Sequence, residues 1–243
     1  MASTSEIGHA KNVANFQDLI EFVTAYGATY NPSKNSLKLP QLIALKASAD
    51  ATLADVITKN TNYNNKVNER ITAFSGLKSL STRLVNALQT TDATTETIGN
   101  AKTFNRKMQG KKASSSQTPT DPNTPAPNTI STSQQSYDQL IQHLAGLTSI
   151  LEAETSYTPN ETDLQVATLQ TKIADLTAKN TAVATAYASI SNSRIARNET
   201  LYSSSTGFVE TANEVKKYIK SVFGASSPQF AQVKGIQFKI IKN

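Results

Sequence analysis

Tyr30-Asn31-Pro32-Ser33-Lys34-Asn35-Ser36-Leu37-Lys38-Leu39-Pro40-Gln41-Leu42 returns as Tyr157-Thr158-Pro159-Asn160-Glu161-Thr162-Asp163-Leu164-Gln165-Val166-Ala167-Thr168-Leu169, displaced by 127 residues. Tyrosine, proline and three apolar positions recur in register. The likeness extends outward on both sides. Asn15 to Phe22 resembles Ser136 to His143, Gly76-Leu77 resembles Gly207-Phe208, and Leu84 to Leu88 resembles Val215 to Ile219. The offset slips between these blocks, as loops of different length allow. Self-similarity on this scale means that one supersecondary unit has been duplicated.

The apolar spacing inside each copy is helical. Val13, Phe16, Leu19, Ile20, Val23 and Tyr26 step by three and four, which predicts a helix over residues 7–27 with one buried stripe. A second helix starts near Ser36 and carries the same step from Leu39 to Phe74; Pro40 falls in its first turn, where no backbone donor is lost. Gly76 marks a break, and Leu77, Leu80, Leu84, Val85 and Leu88 form the stripe of a third helix. The second copy repeats the plan. Leu140 to Leu151 makes its first helix, Asn160 is the expected cap of a long second helix with Asp163 as capping-box acid, and Phe208 to Val222 makes its third. The endings differ. Thr94 to Met108 is weakly helical in pattern, whereas Gly235 to Ile240 alternates with period two, as a short strand would. Polar residues interrupt the long stripes at Asn60, Tyr63, Asn180 and Thr181; a buried Asn there would fix helix register.

Between the copies lies residues 111–134, with four prolines among Ser, Thr and Asn. Such a stretch neither continues a helix nor supplies a core, and is read as a linker. The domain reading is therefore a first helical repeat over 1–110, a linker over 111–134, and a second repeat over 135–243 with a strand-like tail. The expected fold is all-α: an elongated helical bundle built from two tandem three-helix repeats with long antiparallel helices.

The formal charge of +6 gathers at the end of each copy. Residues 101–112 hold Lys102, Arg106, Lys107, Lys111 and Lys112 without an acid, and residues 215–243 hold Lys216, Lys217, Lys220, Lys234, Lys239 and Lys242 without one. Basic ends suit an anionic partner, though cations also favour helix C-termini on their own account. The N-terminus lacks the basic and apolar regions of a secretory signal, and no apolar run approaches the roughly 18 residues needed to span a bilayer. A cytoplasmic or non-classically exported protein is expected. With no Cys in the chain, disulfide and thiolate chemistry are excluded.

Catalytic signatures are missing from the sequence. The two histidines, His9 and His143, have no Glu-x-x-His partner of the kind a di-metal helical bundle uses. No nucleophile elbow, phosphate loop or dinucleotide fingerprint occurs. The acidic residues Glu152, Glu154, Glu161 and Asp163 sit at helix ends, where carboxylates cap or face solvent. No catalytic residue, metal or cofactor is expected.

Val215-Lys216-Lys217-Tyr218-Ile219-Lys220-Ser221-Val222-Phe223-Gly224, with Ser227-Pro228-Gln229-Phe230 and Val233-Lys234-Gly235-Ile236, resembles the tails of uncharacterised bacterial helical-bundle proteins. The resemblance covers about thirty residues, implies an all-α bacterial protein and carries no assigned activity. The function expected is that of a non-catalytic structural or interaction protein, assembling with itself or with a protein partner. Candidate interaction residues are Ile236, Phe238 and Ile240 in the tail, and Lys216, Lys217 and Lys220 before it. The alternative is a binder of anionic surfaces, membrane or nucleic acid, including a pore-former-like component.

Overall fold

The stripe read over residues 13–23 becomes α1 (Ile7–Ala25), in which Val13, Phe16, Leu19, Ile20 and Val23 are all buried. The computed structural model describes residues 6–110 and 135–241; the segment read as a linker, 111–134, lies outside them. The described residues are all-α and contain no strand. After α1 come a 3-10 turn at Asn35–Leu37, α2 (Leu39–Phe74), α3 (Leu77–Leu88) and α4 (Thr95–Gln109). Then follow α5 (Tyr137–Ala153), a 3-10 turn at Thr162–Leu164, α6 (Val166–Tyr202), α7 (Phe208–Phe223) and α8 (Pro228–Lys234).

Local signals set the boundaries. Thr94 caps α4 by accepting from the Thr97 backbone N–H, and Gly110 ends that helix in the left-handed conformation at φ 74°. Ser136 caps α5 and Ser227 caps α8 in the same way, with Pro228 following where a missing N–H costs nothing. α6 departs from expectation. It begins at Val166, after the 3-10 turn, so Asn160 does not cap it, and Asp163 instead pairs with Arg83 of α3. The turn tightens this stretch because the Tyr157 hydroxyl donates to the Leu164 carbonyl (3.0 Å), drawing the loop under the ring. Tyr30 makes the same bond to the Leu37 carbonyl (2.7 Å) before α2.

The chain divides into two units, one of residues 1–63 with 186–243 and the other of residues 64–185. In the first, α1 packs on α7 and α8, and α7 also meets the 3-10 turn at Asn35–Leu37. Its core joins Phe16, Leu19 and Leu42 to Leu201, Phe208 and Val215, with the rings of Phe16 and Phe208 at 4.1 Å between centroids. In the second, α5 packs on α3 and α4, and α3 meets the 3-10 turn at Thr162–Leu164. Its core joins Leu77, Leu84 and Leu88 to Leu144, Leu147 and Leu169. Each unit contains one tyrosine-pinned turn, the start of one long helix and part of the other. Each core draws on residues from before and after the 111–134 segment.

The polar positions of the long helices resolve individually. Asn60 and Thr181 are exposed, and the Tyr63 ring meets that of Tyr187 at a tilt, 5.9 Å between centroids. Asn180 is the bridging residue in the second unit: it accepts from Arg70 (3.0 Å) and donates to Asp138 (2.7 Å), tying α2, α6 and α5 together. Arg70 also lies 4.0 Å over the Tyr137 ring.

Candidate interaction surface

α7 is amphipathic: Phe208, Val209, Ala212, Val215 and Ile219 point inward, so Lys217 and Lys220 are forced outward. Gly224 turns the chain at φ 91°, and α8 returns alongside. Between the two helices opens a cleft of about 410 Å³, lined by Glu210, Asn213, Lys216, Lys217, Lys220, Phe230 and Lys234. Four cations face one carboxylate there. Glu210 reaches Lys217 only at 3.9 Å, and the Lys217 side chain is 75% exposed, so this pair neutralises little of the field. Lys220 sits 5.7 Å from the centre of the Phe230 ring, which covers one face of the aromatic.

Lys216 differs from its neighbours. Its ammonium donates to the Ile236 carbonyl (2.7 Å) and approaches the Phe238 ring, and burial holds its pKa below the ordinary lysine range. This lysine pins the tail; Lys217, Lys220 and Lys234 are left to solvent.

The tail itself corrects the strand expectation. Residues 236–241 form no regular element and pair with no strand among the described residues. Several of their backbone groups are taken by side chains instead. Asn12 donates to the Lys239 carbonyl (2.7 Å) and accepts from the Lys239 N–H (3.0 Å), so its amide reproduces one rung of a β-ladder; Asn15 donates to the Gln237 carbonyl (2.7 Å). Ile236 and Phe238 are half-buried against the core of the unit, with the Phe238 ring edge-on to Phe16. Ile240 breaks the alternation and is 62% exposed. Of the six residues singled out in the sequence, the structure therefore brings Lys216, Ile236 and Phe238 together as one packed corner, and leaves Lys217, Lys220 and Ile240 outward.

A buried polar cluster beneath this corner was not foreseen. Arg197 of α6 is 1% exposed and donates to both carboxylate oxygens of Glu6 (2.5 Å each) and to Asn198. His9 shares a 2.6 Å hydrogen bond with the Tyr202 hydroxyl. Burial first, and the Arg197 charge second, hold the His9 imidazole below its ordinary range, against the opposing pull of Glu6. An arginine within the Ile190 to Leu201 stripe was the one available signal, since so bulky a cation on an inward face requires a carboxylate partner.

Among the described residues no group of three His, Cys, Asp or Glu side chains is placed to hold a metal ion, and no helix is long and apolar enough to cross a membrane. Comparison of the chain with models of protein families, with curated proteins and with solved structures finds no match.

Proposed function

We propose that the chain is a non-catalytic interaction protein, a duplicated scaffold of three-helix repeats that presents the α7–α8 cleft to an acidic protein partner. The observation that carries this reading is the cleft's composition: Lys217, Lys220 and Lys234 line it together with Phe230 and a single acid, Glu210. Clustered, weakly paired cations steer an anionic partner and set its orientation. An acidic protein surface is favoured over nucleic acid because the only ring lining the cleft already carries Lys220, which removes the stacking platform that bases use. The sequence likeness to bacterial helical-bundle tails falls on this same corner.

The test is binding of polyglutamate across a salt series, with anionic vesicles and single-stranded DNA as comparators. Polyglutamate should bind best at low salt, weaken steeply toward physiological salt, and lose at least about tenfold in affinity when Lys217, Lys220 and Lys234 are together changed to Glu. No binding at low salt, or binding indifferent to the triple change, overturns the proposal. Preference for vesicles or DNA would transfer the cleft to the alternative, an anionic-surface binder.

A second reading, self-assembly, is supported by α2. Ile43 and Ile57 are 51% and 60% exposed. They lie two heptads apart, within about 40° of one another around the helix. Ile57→Glu should leave helicity intact and abolish any concentration-dependent rise in mass seen by light scattering; an unchanged mass profile would remove α2 from consideration.

A further inference from the structure

In each unit a surface ion pair ties the tyrosine-pinned turn to α7 or α3, and the two pairs have opposite polarity; Arg83 and Glu214 align in the sequence, while Asp163 lies two residues beyond the position matching Lys34. In the first unit the turn before α2 supplies the cation: Lys34 donates to Glu214 of α7 (2.6 Å). In the second the turn before α6 supplies the anion: Asp163 receives both terminal nitrogens of Arg83 on α3. Both turns are pinned by the same tyrosine-to-carbonyl bond, from Tyr30 and from Tyr157. Each pair joins a turn on one side of the 111–134 segment to a helix on the other. The Arg83 charge reinforces the arrangement by holding the Asp163 carboxyl below the ordinary carboxylate range, first through the hydrogen bond and then, after burial's opposing push, through direct attraction.

We infer that the interface between the two halves of the chain carries a polarity code, which admits an opposite half, from the same chain or from a second copy, and rejects a like one. The inference rests on the duplicated-scaffold reading, in which the two turns and the two third helices are equivalent. If two N-terminal halves were to pair in the observed manner, Lys34 of each would meet Arg83 of the other. Two C-terminal halves would set Asp163 against Glu214. Both wrong pairings place like charges where the native pairing places opposite ones, twice per assembly. A duplicated sequence needs such a device, because its halves retain enough likeness to mispair, and repulsion against the wrong partner discriminates where attraction to the right one alone does not.

The experiment uses the full chain with a protease site placed within 111–134. The folded protein is cut, its mass is measured by light scattering, and the cut material is unfolded in urea, refolded and sorted by native mass spectrometry. The wild-type protein should remain a single pair of unlike halves before and after refolding. The double variant Arg83→Glu with Asp163→Lys keeps an opposite-charge pair at that site but gives both units the same polarity. After refolding it should yield like–like pairs at a ratio to the mixed pair about tenfold above wild type, the bias expected when two weak surface pairs replace two repulsions. A variant that refolds to the wild-type mixture overturns the polarity code. If instead the cut wild-type halves separate and each keeps its helicity, the interleaved scaffold itself fails, and the code with it. Neither outcome touches the α7–α8 cleft, whose test reads salt-dependent binding.

Discussion

Two glycines that align in the sequence, Gly76 and Gly207, should answer the same substitution in different ways. A Cβ built on Gly207 would lie 2.3 Å from the Ser203 carbonyl oxygen and 2.5 Å from the Ser203 nitrogen. Both are backbone atoms, so no rotamer change relieves the overlap. The turn over residues 203–207 would have to open, breaking the bond from the Gly207 N–H to the Ser203 carbonyl (3.0 Å) and shifting the start of α7, where Phe208 and Val209 are buried. Overpacking of this kind costs about 1–3 kcal/mol, and the lost hydrogen bond adds about 1 kcal/mol. Gly207→Ala should therefore destabilise by about 2–4 kcal/mol, lowering Tm by roughly 5–15 °C in a chain of this size. A Cβ on Gly76 meets nothing within 4 Å, at φ −93° and ψ −1°. There the gain from a stiffer unfolded chain roughly offsets the poorer cap, leaving a change under about 1 kcal/mol. Urea unfolding followed by circular dichroism at the helix band, for both variants beside wild type, measures the contrast. Equal midpoints for the two variants, in either direction, would refute the close approach at Gly207.

Glu6→Gln should cost about 3 kcal/mol, because it leaves Arg197, 1% exposed, without its counter-charge; a thermal melt reads it, and a loss no greater than that of an exposed Glu-to-Gln change would refute the buried pair. Asn12→Leu removes both bonds to Lys239 while preserving shape, and should release the tail to limited proteolysis ahead of any cut in α7, at a stability cost of about 1–3 kcal/mol. His9 has a folded pKa below its unfolded value, so the unfolded chain takes up its proton first as pH falls. The stability His9 contributes is complete above about pH 6.5 and is lost as pH falls toward the lowered folded pKa. Wild type should accordingly lose more stability than His9→Gln between pH 7 and pH 5, and parallel urea midpoints for the two proteins would refute the assignment. The Tyr157 phenol, pushed up to about 12 chiefly by burial, should stay protonated in an ultraviolet titration carried to about pH 11, and its ionisation below that pH would refute the burial of the ring.

Helix identity and the inward residues were legible because they depend on spacing along one segment. The stripe Val13, Phe16, Leu19, Ile20, Val23 needs only the helical period, and it is buried as read. The tail was misread for the converse reason. Alternation in Gln237-Phe238-Lys239-Ile240 reports that side chains alternate, not what receives the backbone, and two asparagines more than two hundred residues upstream receive it. Partner choice was equally invisible, since the stripe of α1 suits α3 as well as α7 by pattern alone. The residues that distinguish the partners, Lys34 with Glu214 and Asp163 with Arg83, are surface charges that look interchangeable until they are seen paired. Arg197 was obscured by the opposite habit, that arginine reads as solvent-facing.

The division of the chain into a continuous unit and a split one fixes an order of birth. Residues 64–185 are contiguous, so the second unit can close as soon as α6 has emerged during synthesis. The first cannot: Phe16 finds Phe208 only after α2 through α6 have been made. At about 5–20 residues per second, the apolar face of α1 waits on the order of 10–40 s for α7 to cover it. The nascent chain thus carries the uncovered apolar face of α1 through that interval, before α7 and α8 appear, while residues 64–185 already have all the chain they need to close, and it is then that a holding chaperone has most to cover.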